Sequence, residues 1–252
     1  MKVKILKKLI KISLITIFIL PLYSETINLI DIPTAWTILR GYYDVNVIIY
    51  GGGGLSAKIS IGLTDRLMLG ISEDIGGAIG SQKADWNIPG VLAKLNLIYP
   101  SEDSLGIAIG YDSFLNGEYG KCYNNKMTED IVYGIYLAFT KPVSLFRGSQ
   151  FWHFGVRFPL LPFEARKNGK NISLYIGLNI IINPEIMIMG EVENIYLNGN
   201  RNKEILYNCG IKYNFSEALS VRLNFQYTSS REINPEDKPT RSIFLEYQNI
   251  FY

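Results

Sequence analysis

The sequence predicts an all-β protein: a single closed antiparallel transmembrane β-barrel of about twelve strands, preceded by a cleaved signal peptide. Three observations carry this: an export-type N-terminus, apolar residues recurring with period two, and short connections on one side of the strands against long ones on the other.

Lys2, Lys4, Lys7, Lys8 and Lys11 form a basic segment ahead of an apolar stretch from Ile12 to Leu22. Leu22-Tyr23-Ser24 then places an aliphatic and a small residue where a signal peptidase reads them. The stretch is shorter than the ~20 residues a helix needs to cross a bilayer. Residues 1–24 therefore read as a signal peptide, 25–39 as a periplasmic lead-in and 40–252 as the barrel.

Cleavage removes five lysines and no acid, leaving 20 basic against 23 acidic residues. A chain so balanced carries no footprint for nucleic acid. One histidine rules out a multi-histidine metal site. Gly51 to Gly54 lead into Leu55-Ser56 and a strand, not into the Lys-Ser/Thr and helix of a phosphate loop, so they read as a hairpin turn. No cofactor is expected. Cys122, in a polar loop, and Cys209, on an apolar strand face, read as free thiols because their surroundings differ.

Leu55-Ser-Ala57-Lys-Ile59-Ser-Ile61-Gly-Leu63 and Leu219-Ser-Val221-Arg-Leu223-Asn-Phe225-Gln-Tyr227 show the alternation most clearly. Successive strand side chains point to opposite faces, so each run has an apolar face and a polar or small one. Twelve such runs fall near 40–50, 54–63, 67–74, 90–99, 105–113, 130–140, 151–158, 172–182, 186–194, 205–213, 219–228 and 241–251. Most match the ~9–11 residues of a tilted membrane strand. The inner connections 64–66, 100–104, 183–185 and 214–218 are tight, with 141–150 longer. The outer ones, 75–89, 114–129, 159–171, 195–204 and 229–240, are long and polar, the asymmetry of outer-membrane barrels.

A soluble β-sandwich would alternate too, with its apolar faces turned inward. Two features favour lipid. The opposite face mixes charges with glycine at 62, 70, 106, 110, 134, 155, 177 and 210. Glycine weakens an exposed strand but makes room in a crowded lumen. Aromatic residues also mark both ends of the apolar face: Tyr99, Phe139 and Tyr213 at inner ends, Tyr111, Phe158 and Tyr227 at outer ends. The lumen-lining residues expected on this basis are Lys58, Lys94, Asp112, His153, Arg157, Glu191, Lys212, Arg222 and Glu246, with Arg222 and Glu246 as a pair on neighbouring strands. Parity slips near Gln248, which predicts a bulge or an altered register there.

Asp31-Ile32-Pro33-Thr34-Ala35, Arg40-Gly41-Tyr42, Gly53-Gly54-Leu55, Ile61 to Arg66, Leu69 to Ser72, Asp85-Trp86-Asn87 and Ala108 to Ser113 resemble the YjbH-like group of outer-membrane proteins associated with envelope polysaccharide. The likeness covers about the first 140 residues, with a weaker match at Glu191 and Gly210-Ile211-Lys212-Tyr213. Val192-Glu193-Asn194 departs from the acidic, glycine-rich run usual after that glutamate. The resemblance implies an outer-membrane barrel and brings no catalytic residues.

The expected function is a non-enzymatic narrow channel or structural component in export of solutes or polysaccharide. The expected partners are outer-membrane lipid, the barrel-assembly machinery through Ile250-Phe251-Tyr252, and polysaccharide or small solutes. One alternative is an outer-membrane hydrolase using His153, although neither a Gly-x-Ser-x-Gly elbow nor a serine grouping accompanies it. Another is a surface adhesin acting through loop residues such as Tyr119, Tyr123, Asn124, Asn125, Lys126, Lys167, Asn168 and Lys170.

Overall fold

The computed structural model describes residues 26–81, 83–86, 89–113, 134–145, 148–159, 172–196, 205–229 and 240–251. Residues 1–24, read from sequence as a signal peptide, lie outside the described residues, as do Cys122, the loop residues just named and Tyr252. The strands are β1 Tyr42–Tyr50, β2 Gly54–Gly62, β3 Leu67–Gly76, β4 Asp85–Trp86, β5 Gly90–Ile98, β6 Gly106–Asp112 and β7 Gly134–Leu145. They continue with β8 Gly148–Pro159, β9 Ser173–Ile181, β10 Ile186–Tyr196, β11 Ile205–Asn214, β12 Leu219–Ser229 and β13 Thr240–Ile250.

Twelve strands close into a ring, every neighbouring pair antiparallel. β13 pairs with β1 from Tyr42↔Ile250 to Ile49↔Ile243, and β3 pairs with both β2 and β5. Closure leaves the ring without a free edge. β4 stands outside it, a two-residue ribbon on β3 within the 75–89 connection.

The faces are arranged as a lipid-facing barrel requires. Leu69, Ile71, Leu95, Ile109, Ile188, Ile211, Leu223 and Ile243 are exposed, whereas Lys58, Lys94, Glu191, Lys212 and Arg222 are buried. A soluble sheet protein would show the reverse. In water such an apolar belt would be a liability; acyl chains are its natural solvent. Outward-facing charges sit at the rims: Glu73 and Arg241 toward the outer ends of β3 and β13, Lys141 toward the inner end of β7. A charge costs little there compared with the midplane.

Three expectations need correction. First, β13 runs in unbroken register past Gln248, so there is no bulge there. The apparent slip is Asn249, an outward polar residue that donates to Tyr247 Oη (2.6 Å) and accepts from the N–H of Ile250 (2.8 Å). The register shifts lie instead between Val192 and Ile195, where Asn194 takes φ 60°, and between Asn96 and Ile98. Second, the 141–150 connection is mostly strand: β7 and β8 pair as far as Leu145↔Gly148. Third, the lumen-facing side is not uniformly polar. Met68, Leu92, Met187, Met189 and Phe244 are buried on it, because the lumen holds more than water.

Candidate functional site

Residues 26–38, part of the stretch 25–39 read from sequence as a periplasmic lead-in, lie inside the barrel. Asn28 and Pro33 form an isolated bridge, Leu29 N–H donates to Ile32 O (2.9 Å) and Thr34 N–H donates to Ile27 O (3.1 Å). The result is a tight hairpin with Ile30 and Asp31 at its tip. Leu29, Ile32, Ala35 and Ile38 are fully or almost fully buried. From Ala35 the chain runs along the wall to a turn at Gly41, whose φ of 83° suits glycine, and enters β1.

An irregular segment at membrane depth must have its backbone polar groups satisfied by protein. Here wall side chains do this. Glu191 accepts from the main-chain N–H of Ile30 (3.0 Å), Asp31 (2.8 Å) and Ile32 (3.3 Å). Lys94 Nζ donates to Ile27 O (2.7 Å) and Trp36 O (3.1 Å), and Asn96 Nδ2 donates to Ala35 O (2.6 Å). Arg157 donates to Asp31 O (2.9 Å), Arg222 donates to Leu29 O, and Thr140 Oγ1 accepts from the N–H of Ala35 (2.9 Å).

Apolar contacts hold the same segment. Leu29, Ile30 and Ile32 pack with Tyr175, Ile181, Met187 and Met189; Ile38 packs with Met68 and Leu92. Trp36 meets the Phe151 ring edge-on at 5.0 Å.

All nine lumen-lining residues expected from sequence face inward. Arg222 and Glu246 pair at 3.0 Å, as anticipated, and Lys212 joins the same carboxylate. Lys58 on β2 reaches across to Asp112 on β6 at 3.6 Å. Arg157 pairs with Glu193 at 2.6 Å. Glu193, Glu191 and Asp31 gather around Asn208, whose Nδ2 lies 2.7–3.2 Å from an oxygen of each. Sequence reasoning missed Asn96, Thr140 and Asn208 as hairpin or carboxylate partners.

His153 is fully buried. One ring nitrogen bonds Thr140 Oγ1 (3.0 Å), the other bonds Asn179 Oδ1 (2.7 Å), and the Trp36 ring lies 6.0 Å away. Cys209 is a free, exposed thiol on the outer face of β11.

The closed ring, its apolar exterior and its buried polar lining define an integral outer-membrane β-barrel. No family model and no curated protein matches the chain in sequence. Among solved structures it is similar to the KdgM porin, at 12% identity and TM-score 0.50 over 82% of this chain and 98% of that one. It is also similar to Omp33 of Acinetobacter baumannii (8% identity, TM-score 0.46, 85% of this chain and 100% of that one) and to the NanC porin (10%, 0.47, 83% and 100%). At such identity the likeness to the KdgM porin is one of fold.

Proposed function

We propose that the protein is a non-enzymatic outer-membrane channel for small solutes or saccharide chains, closed at rest by its own N-terminal hairpin. The observation that carries this is the way the hairpin is held. Six wall side chains on five strands bond its main chain. Water can replace such hydrogen bonds when the segment withdraws, and their net worth is modest. Withdrawal would leave a charged, hydrated passage. Eight-stranded barrels fill with wall side chains alone; this wider ring is filled by a separate piece of chain.

The resemblance to the YjbH-like group favours a polysaccharide-linked role. Asp31 to Ala35, which open that resemblance, belong to the hairpin, and Glu191 is its wall partner. The C-terminal Ile250-Phe251-Tyr252 supports recognition by the barrel-assembly machinery, and the apolar belt supports contact with outer-membrane lipid. The hydrolase reading is disfavoured because both nitrogens of His153 are engaged and the ring is sealed from solvent.

Single-channel recording in planar bilayers tests the proposal. The unaltered chain should be closed most of the time. Glu191→Ala, which strips the acceptor from three hairpin N–H groups, should raise the open fraction severalfold. Silence from both proteins, each correctly folded, would remove the channel reading.

A further inference from the structure

Four side chains meet where the hairpin tip touches the wall. Glu191 and Glu193 stand two residues apart on β10 and face inward, Asn208 lies opposite Glu191 on β11, and Asp31 comes from the tip itself. An oxygen from each of the three carboxylates lies within 4.8 Å of the other two. Two oxygens on opposite sides of one calcium ion stand about 5 Å apart, so the three are spaced to share one.

The point they share is held by Asn208. Its Nδ2 is 3.1 Å from Asp31 Oδ2, 2.7 Å from Glu191 Oε1 and 3.2 Å from Glu193 Oε1. An amide nitrogen carries two hydrogens, too few to give each of three carboxylate oxygens its own bond. The other end of the same amide, Oδ1, is buried without a partner, and Asn208 is only 4% exposed. Buried polar atoms are nearly always bonded to something. Turned over about its last bond, the amide would bring Oδ1 to the carboxylates, a repulsive arrangement unless a cation stands between them. With one there, four oxygens converge.

Charge points the same way. Glu191 and Glu193 are both buried. Glu193 pairs with Arg157, whereas Glu191 has no ion pair among the described residues and is held by main-chain N–H groups and Asn208. Buried charge is ordinarily paired or bound to a metal. The ligand set selects the ion. It is all oxygen, since His153 is engaged with Thr140 and Asn179 and Cys209 faces outward. That suits a hard cation, not zinc or copper. Magnesium keeps several waters in an octahedron, whereas calcium accepts irregular cages of carboxylate and amide oxygen.

We infer that Asp31, Glu191, Glu193 and Asn208 bind one calcium ion, which fastens the hairpin tip to the barrel wall. The inference deepens the channel reading: the ion's effect on opening rests on that reading, and the site itself does not.

For the test, the full-length chain is refolded into lauryldimethylamine oxide micelles, free of lipopolysaccharide and its calcium. It is titrated calorimetrically with calcium chloride or magnesium chloride at physiological ionic strength. One calcium should bind per chain, at least about tenfold more tightly than magnesium. Asp31→Asn should weaken calcium about tenfold, because ligand charge sets affinity. Asn208→Asp should do the opposite. In chelator it should resist urea less well than the unaltered chain, and with calcium it should recover and bind the ion more tightly. A purely structural Asn208 would leave that variant weakened with or without calcium. Heat-modifiable gel mobility reports folding, and either variant alone decides the matter. No calcium binding would mean that the carboxylates share protons instead, and would overturn the inference. Equal affinity in folded Asp31→Asn, or a preference for magnesium, would overturn it as well. In planar bilayers calcium should lower the open fraction severalfold and chelator should restore it; an open fraction indifferent to bound calcium would refute the fastening. Calcium bound without current in any state would remove the channel reading alone; current with no calcium bound would remove the site alone.

Discussion

Gly177 on β9 and Leu29 in the hairpin approach so closely that a β-carbon at 177 would lie 2.5 Å from Leu29 Cδ2. Ile32 Cδ1 would stand 2.6 Å away. Both are ends of flexible side chains and can swing aside. Gly62 is different: a β-carbon there would meet the main-chain oxygens of Leu39 and Ile38 at 2.0 and 2.5 Å, in a stretch that cannot shift without moving the whole segment. Gly177→Ala should therefore be mild. Gly62→Ala should dislodge the hairpin and open residues 26–40 to proteinase K in the folded barrel. Equal digestion of both variants would contradict this packing.

Glu246 serves two buried cations, Lys212 and Arg222, and accepts from Ser220 Oγ at 3.2 Å. Removing one partner of a buried ion pair costs about 3–5 kcal/mol because the other charge is stranded. Glu246→Gln should destabilise the barrel by that order in urea unfolding. Arg222→Ala should also release Leu29 O and raise conductance. Unchanged conductance in Arg222→Ala would argue that this arginine does not hold the hairpin.

His153→Ala should cost about 1–3 kcal/mol, since Thr140 and Asn179 each lose a buried partner. No hydrolytic activity should disappear with it. An esterase or lipase activity of the purified protein that vanished in this variant would restore the hydrolase reading.

Leu223 faces outward near the middle of β12 and is 48% exposed. Leu223→Arg places a charge near the bilayer midplane and should cost about 2–4 kcal/mol in lipid vesicles. Glu73→Arg, near the outer rim, should cost at most about 1 kcal/mol. Similar costs for the two would mean that Leu223 does not face acyl chains.

Much of the barrel was legible because strand geometry writes itself into sequence with period two. The inward set from Lys58 to Glu246 and the Arg222–Glu246 pair followed from parity and strand adjacency alone. The hairpin was not legible, since residues 26–40 have no periodicity and their partners lie as far as 193 residues away. A signal was present nonetheless. Met68, Leu92, Met187, Met189 and Phe244 interrupt the lumen-facing parity, and apolar residues there imply something dry to pack against. Asn249 misled for the opposite reason: a polar residue on the outer face at a rim mimics a register slip.

Amide hydrogen exchange of the full-length protein in micelles tests most directly that the hairpin fills the lumen. The amides of Ile30, Ile32 and Ala35, bonded to Glu191 and Thr140, should exchange nearly as slowly as those at the centre of β10. Exchange at the rate of an unstructured chain, with the strands still protected, would place the hairpin outside the barrel and leave the lumen open.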